Sequence, residues 1–136
     1  MDETTSASRD EAAIRRIVQD WAKAVRGKDL EGILRAHATS MLLFDVPPPF
    51  QSRGIDAYRE SWNLFFSAND PVVFNIAEMN ITAGTDVAFA TAVMNCSEVA
   101  AGGESIALDF RLTIGLRKID DRWTIVHEHH SIPATH

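Results

Sequence analysis

Apolar residues in the first part of the chain recur at the spacing of an amphipathic helix. The positions on the shared face are Ile14, Ile17, Val18, Trp21 and Val25. Ser8 and Glu11 form a capping-box pattern before them, and Gly27 provides a stop. We therefore predict a first helix that starts at Ser8, preceded by a disordered tail over residues 1–7 and followed by one domain over residues 8–136.

A second, shorter helix and a strand are predicted next. Asp29 can cap a helix that ends near Ala38, although Gly32 weakens it. Met41–Val46 has the composition of a short strand, and the three prolines that follow end it because proline cannot donate to a ladder. Asp45 lies at the end of this strand.

The rest of the chain predicts one more helix and then only strands. The third helix has a largely aromatic face and ends before Asn69; its face carries Ile55, Tyr58, Trp62, Phe65 and Phe66. Four β-prone runs follow, separated by turn residues: Val72–Ala83, Val87–Val99, Glu104–Lys118 and Arg122–Ile132. Three helices followed by antiparallel strands predict an α+β fold, with a curved, mainly antiparallel sheet packed on the helices.

Composition and charge narrow the functional classes. The 136 residues suffice for one domain, and 46% hydrophobic with 24% charged residues is typical of a globular protein. A net charge of −6 disfavours nucleic acid and anionic membranes as partners. Apolar runs such as Val87–Met94 are far too short to span a bilayer, and the acidic N-terminus does not resemble a secretion signal. We expect a cytoplasmic protein in which Cys96 is a buried, inert thiol.

The last predicted strand, with the sequence WTIVHEHHSIP, holds three of the five histidines. If Asp120 and Asp121 form a two-residue hairpin turn, side-chain alternation divides this hairpin into two faces. The face expected to point toward the helices carries Phe110, Leu112, Ile114, Leu116, Trp123, Ile125, His127 and His129. The face expected to point outward carries Arg111, Thr113, Gly115, Arg117, Thr124, Val126, Glu128 and His130. This register predicts that only His127 and His129 can line a pocket.

Three interpretations of the inward histidines stay open at this point. They can be neutral groups in a core, they can bind or transfer protons, or they can supply part of a zinc site. Zinc needs three or four convergent ligands, so His37 or Asp45 would have to complete that set. No glycine-rich phosphate loop accompanies them, and Ser131 lacks the elbow and oxyanion motif of a serine hydrolase. We expect no metal and no cofactor.

Asp45 is the other candidate for chemistry. A carboxyl at the end of the apolar stretch Leu43-Phe44-Asp45-Val46 is partly desolvated, and desolvation raises its affinity for protons. Such a group suits a general base. The alternative is an aspartate that accepts turn hydrogen bonds before proline.

The order of the elements, together with four sequence stretches, resembles the SnoaL-like and ketosteroid-isomerase-like proteins of the nuclear transport factor 2 superfamily. The stretches are IVQDWAKAVRGKDLEGILRAH, FDVP, SRGIDAYRESW and DRWTIVHEHHSIP. The resemblance covers nearly the whole chain. It implies a conical α+β fold, an apolar pocket between the concave face of the sheet and the helices, and frequent assembly as a homodimer.

The resemblance to the ketosteroid isomerase also extends to individual residues. The isomerase's proton-shuttling aspartate matches Asp45, which agrees with the interpretation of Asp45 as a base. The isomerase's tyrosine and protonated aspartic acid, which stabilise the enolate, match Trp21 and Leu112, and these cannot do the same work. The resemblance therefore implies that true steroid isomerase activity is lost.

Two functions are expected on these grounds. In the first, the protein is an isomerase, cyclase or hydratase-like enzyme acting on a small apolar carbonyl compound. Asp45 would be its general base and His127 or His129 would stabilise the enolate. The pocket walls would be formed by Trp21, Tyr58, Trp62, Leu112 and Ile114. In the second, the protein is a non-catalytic module that binds a ligand or dimerises.

Overall fold

A computed structural model describes residues 3–69, 72–99 and 102–134. Helix α1 spans Glu3–Arg26, helix α2 spans Leu30–Leu34 and helix α3 spans Ile55–Ala68. Helix α1 begins before the predicted start at Ser8, because residues 3–7 contain no proline or glycine to break it. Residues 1 and 2 of the predicted tail lie outside the described part of the chain.

In the described residues, seven strands form one sheet that packs against the helices. They are β1 His37–Phe44, β2 Ser52–Arg53, β3 Phe74–Ala83, β4 Val87–Val99, β5 Ser105–Ala107, β6 Phe110–Ile119 and β7 Arg122–Ser131. Their order is β2-β1-β7-β6-β4-β3, and β5 pairs with the end of β4. Among the strands described, β1 and β7 pair in parallel and the other pairs are antiparallel.

Three details differ from the predicted elements. Helix α2 ends at Leu34 and β1 already starts at His37, so His37 is a strand residue and not part of the helix. The short strand β2 was not predicted. The run predicted from Glu104 to Lys118 is divided into β5 and β6 by Leu108 and Asp109, where a carboxylate oxygen of Asp109 accepts a hydrogen bond from the Cys96 amide.

The hairpin of β6 and β7 begins as predicted and then changes register. Asp120 and Asp121 both have positive φ, 49° and 65°, as a tight primed turn requires. Ile119 pairs with Arg122 and Leu116 pairs with Ile125, which confirms the predicted start. Between Leu116 and Gly115 the ladder shifts by one residue at a β-bulge.

The bulge reverses the orientation of every later side chain on β7. Beyond it, Gly115 pairs with His127, Ile114 with Glu128 and Leu112 with His130. Glu128 and His130 are therefore buried on the inner face, whereas His129 is exposed. The predicted orientation of these residues is wrong, because strict alternation holds only while a strand has no extra residue.

The core lies between α1, α3 and the concave face of the sheet. Its fully buried side chains include Ile14, Trp21, Tyr58, Phe74, Met94, Leu112 and Ile125. Cys96 belongs to the same buried set, as expected. In the part of the chain described above, no helix is long and apolar enough to cross a membrane.

Candidate active site

A cavity of about 770 Å³ opens at the end of the sheet where β1 and β7 finish. It lies between α3, the proline loop after β1 and the ends of the central strands. Its wall is mainly apolar and includes Leu43, Val46, Pro47, Tyr58, Trp62, Phe65, Phe74, Leu108, Phe110 and Ile132. This volume is within the range that accommodates a small organic ligand.

Asp45 and His130 meet in the wall of this cavity. The parallel pairing of β1 with β7 sets Phe44 beside His129, so the next residues on the two strands are also neighbours. His130 Nδ1 lies 3.4 Å from Asp45 Oδ1. The Asp45 side chain is 27% exposed, whereas that of His130 is 8% exposed. Asp45 is therefore the more accessible member of the pair.

Asp45 also accepts a hydrogen bond from the backbone. Its Oδ1 lies 2.8 Å from the amide nitrogen of Val46, which is the local turn contact expected of an aspartate before proline. The two interpretations of Asp45 are compatible, because this bond occupies one lone pair on one oxygen and leaves acceptor capacity in the carboxylate. The backbone bond fixes the direction in which the carboxylate points.

A second carboxylate, Glu128, holds the other side of the His130 ring. Its Oε1 lies 2.9 Å from His130 Nε2, and its side chain has no solvent exposure. Both ring nitrogens of His130 thus face carboxylate oxygens, which can only accept hydrogen bonds. His130 is accordingly an imidazolium that donates a hydrogen bond from Nε2 to Glu128 and forms an ion pair through Nδ1 with Asp45.

Glu128 is the centre of a larger buried network. Its Oε2 accepts a 2.6 Å hydrogen bond from the Tyr58 hydroxyl, and the same hydroxyl accepts a 2.8 Å bond from Trp21 Nε1. Oε2 also accepts a hydrogen bond from His37 Nε2. These donors replace the water that a buried carboxylate gives up, which is the condition for burying a charge.

The network fixes the position of one proton on His37. Because Glu128 Oε2 can only accept, His37 must carry a proton on Nε2 and donate it. Its Nδ1 is buried and has no hydrogen-bond partner in the described part of the chain. The contacts in the described part of the chain therefore fix the proton on Nε2 of His37.

The buried groups shift one another's pKa values. Burial raises the pKa of Glu128, but the hydrogen bonds from His130 and His37 and the charges nearby outweigh this effect and lower it to about 2. Burial lowers the pKa of His130, but Asp45 and Glu128 raise it to about 9. Burial, with the Glu128 charge as a second cause, raises the pKa of Tyr58 well above its ordinary value.

His127 and His129 lie on the outer face, away from the cavity. The Nδ1 of His127 donates a 2.8 Å hydrogen bond to the carbonyl oxygen of Leu42, and both rings pack edge-on against Phe44. Neither residue lines the cavity. The histidine that the structure brings to Asp45 is His130, which the sequence assigned to the outer face.

The predicted pocket walls divide into two groups. Tyr58 and Trp62 line the cavity, as expected. Trp21, Leu112 and Ile114 are buried in the core and do not line it. The indole N–H of Trp21 is already bonded to Tyr58, so it is not free to bind a ligand.

Sequence reasoning missed Glu128 and His130 because glutamate is very seldom fully buried and the alternation pattern placed both outside. One signal was available. Gly115 is an isolated glycine on the outward face of β6, and an isolated glycine in a strand is typical of a bulge. The ladder shifts next to this glycine. Within the described ranges, no group of three or more His, Cys, Asp or Glu side chains is arranged to hold a metal ion.

Comparison with known proteins identifies one matching family. A family model described as the SnoaL-like domain matches residues 14–135. No curated protein matches the sequence. The predicted α+β fold and the resemblance on which it partly rested are confirmed by this match and by the similar solved structures.

Three solved structures illustrate the range of similar proteins. A nuclear transport factor 2-like protein of unknown function from Pseudomonas putida is 28% identical, with a TM-score of 0.81; the match covers 96% of this chain and 89% of that one. The association domain of C. elegans CaMKII is 25% identical, with a TM-score of 0.74, over 93% of this chain and 98% of that one. A proposed dehydratase of the nuclear transport factor 2-like family from Streptomyces avermitilis is 15% identical, with a TM-score of 0.80, over 95% and 99%. The last is similar in fold alone.

Proposed function

Because the chain belongs to the SnoaL-like domain family, we propose that residues 8–136 form one domain that transfers protons on a small, largely apolar carbonyl compound bound in the cavity. The observation that carries this proposal is the Asp45 and His130 pair in the wall of an apolar cavity. A carboxylate and an imidazolium side by side supply a base and an acid to one substrate. The reaction class is an isomerisation, a cyclisation or a loss or addition of water.

Asp45 is the general base in this mechanism. Its carboxylate removes the proton from the carbon next to the substrate carbonyl, so that the C–H electron pair becomes the enolate. Of the two carboxylates on His130, only Asp45 lines the cavity. Glu128 has no solvent exposure and is saturated with donors, so it cannot reach a substrate.

His130 is the acid that completes the transfer. Its contact to Asp45 is long, at 3.4 Å, whereas its contact to Glu128 is a normal 2.9 Å hydrogen bond. The Nδ1 proton is therefore the one available to a substrate oxygen. His130 donates it to the enolate oxygen, or to a departing hydroxyl in a dehydration, while Asp45 holds the proton taken from carbon. The imidazole left behind stays bonded to Glu128.

Deuterium exchange tests this proposal without knowledge of the natural substrate. The protein is incubated in deuterated buffer with tetralone, a neutral ring ketone, and deuterium incorporation next to the carbonyl is followed by NMR. We expect catalysed exchange that falls by about 10²- to 10⁴-fold in Asp45→Asn, the range that a general base contributes. His129→Gln is the matched control and should retain the rate.

Two results would reject the mechanism. The first is an exchange rate in Asp45→Asn equal to that of the unaltered protein. The second is no catalysed exchange with tetralone or with any other neutral ring ketone that binds in the cavity.

A second function, assembly through the sheet, is favoured by the outer face of β4. Val87, Phe89 and Val93 are exposed large apolar residues on this face. The similarity to an association domain agrees with a role in assembly. We propose a homodimer that uses this face, and we expect Phe89→Glu to convert it to a monomer in light scattering after size exclusion. An unaltered protein that is already monomeric would contradict the dimer.

A further inference from the structure

Acidic groups dominate the charge around the cavity. Asp45 and Glu60 line it, and Glu128 lies directly behind His130. The cationic side chain in the wall is His130, and the three carboxylates outnumber it. Glu60 is exposed on α3, so it contributes its charge at the surface of the molecule.

Nothing else in the described wall balances these carboxylates. No lysine or arginine lines the cavity in the residues that the structure covers. Arg59, the cation next to Glu60 in sequence, lies 3.5 Å from Asp56 and not in the wall. His130 is itself engaged by Asp45 and Glu128, so it offers no uncompensated positive charge to a ligand.

The apolar wall strengthens the effect of these charges. Aromatic rings make up much of it, contributed by Tyr58, Trp62, Phe65, Phe74 and Phe110. They exclude water and lower the local dielectric constant, so a ligand charge interacts with Asp45 more strongly than in bulk solvent. Ring faces also carry partial negative charge, which attracts cations and stacks on flat ligands.

We infer that the cavity selects its ligand by charge, accepting flat ring compounds that are neutral or cationic and excluding anionic ones. The inference deepens the proposed function, since it takes the same cavity as the ligand site, but it does not depend on turnover. It narrows the substrate class to carbonyl compounds without a carboxylate or phosphate group.

Three probes that share one bicyclic ring separate charge from shape. They are acetylnaphthalene, which is neutral, naphthylmethylamine, which is cationic at neutral pH, and naphthoate, which is anionic. Both ions lose hydration on entering the cavity, so the comparison between them reports the sign of the potential. Dissociation constants are measured by calorimetry at neutral pH and low salt. We expect the ketone and the amine to bind at least about tenfold more tightly than naphthoate.

Glu60→Gln isolates the electrostatic origin of this difference. Glu60 takes no part in the proposed chemistry, and removing its charge should lower the ratio of the naphthoate dissociation constant to that of the ketone by about three- to tenfold. Glu104→Gln, on an exposed loop, is the matched control and should alter neither. Raised salt should reduce the difference between the two ions.

Cavity-filling variants establish where the probes bind. Ala57→Trp, or Ser61→Trp if the first variant does not fold, places a large side chain in the wall and should abolish binding of the ketone and the amine. Binding that persists in a folded variant would mean that the probes sit elsewhere and would overturn the inference.

Two further outcomes would overturn the charge selection. One is naphthoate binding as tight as that of the amine. The other is that neither the ketone nor the amine binds. A failure of the proposed function can be told apart from a failure of this inference. In that case the three probes keep the expected order of binding, but Asp45→Asn catalyses deuterium exchange as fast as the unaltered protein.

Discussion

The imidazole of His130 and the carboxylate of Glu128 form a buried pair in which Nε2 and Oε1 lie 2.9 Å apart. The two residues are alternate positions on β7, so both side chains leave the sheet on its inner face. Glu128 anchors one nitrogen of the ring, and the other nitrogen is left to face Asp45 and the cavity. This relationship joins the buried core to the candidate active site.

Removing the charge of Glu128 should destabilise the fold. In Glu128→Gln, the His130 imidazolium loses the partner that offsets its burial, and two further donors, from His37 and Tyr58, lose a charged acceptor. Breaking a buried ion pair on one side typically costs roughly 3–5 kcal/mol, and we expect a decrease of that order in the free energy of unfolding in urea. The exposed control Glu104→Gln should change it by less than about 0.5 kcal/mol. A Glu128→Gln variant as stable as this control would contradict the assigned network.

The free energy of unfolding should be highest between pH 4.5 and 6.5, which are the ordinary pKa values of Glu128 and His130. It should decline on both sides of this window. The raised pKa of His130 gives stability that is complete below 6.5 and is lost as pH rises through about 9. The lowered pKa of Glu128 gives stability that is complete above 4.5 and is lost as pH falls toward about 2. Urea unfolding across this range measures both limbs.

The alkaline limb has its own control. His130→Gln cannot titrate, so its stability should depend much less on pH between 6.5 and 9. Constant stability of the unaltered protein across that interval would show that His130 is not held as an imidazolium.

Tyr58 and Trp21 should act as a coupled pair. Tyr58→Phe removes both the donor to Glu128 and the acceptor for Trp21 Nε1, which leaves a buried N–H group without a partner. The expected loss is about 1–3 kcal/mol in the free energy of unfolding. In a double-mutant cycle with Trp21→Phe, the coupling should be roughly 0.5–3 kcal/mol. Additive effects would mean that the hydroxyl does not bridge the two side chains.

His130 and His129, two histidines of β7, should differ in their effect on exchange. His130→Gln removes the acid and should slow deuterium exchange into tetralone by about 10²-fold or more. His129→Gln alters an exposed side chain on the other face, and we expect its rate to stay within about twofold of the original and its stability within about 0.5 kcal/mol. If His129→Gln lost more of the exchange rate than His130→Gln, the result would favour the strand register predicted from sequence.

Much of the fold could be predicted from local patterns. The apolar spacing of α1, the aromatic face of α3 and the strand pairs around Asp120 and Asp121 depend on residues close in the chain. The two aspartates adopt positive φ because a tight hairpin turn demands it. The choice of Asp45 as a candidate also rested on its immediate neighbours, the apolar strand before it and the proline that follows.

Less could be predicted where the environment comes from distant parts of the chain. The burial of Glu128 depends on donors 70 and 91 residues away, Tyr58 and His37. No sequence window contains those partners, and without them a buried carboxylate is too costly to expect. The cavity likewise takes its wall from α3, the proline loop and the ends of several strands at once.

The sequence by itself determined the class of fold, the hairpin turns and the presence of an aspartate and histidines near one edge of the sheet. The tertiary structure decided which histidine faces the cavity. The physical reason is the bulge beside Gly115: side chains alternate at every residue, so one extra residue on β7 exchanges its two faces. Where that residue sits depends on the pairing of β7 with β6, and therefore on contacts between strands that the sequence of neither strand contains alone.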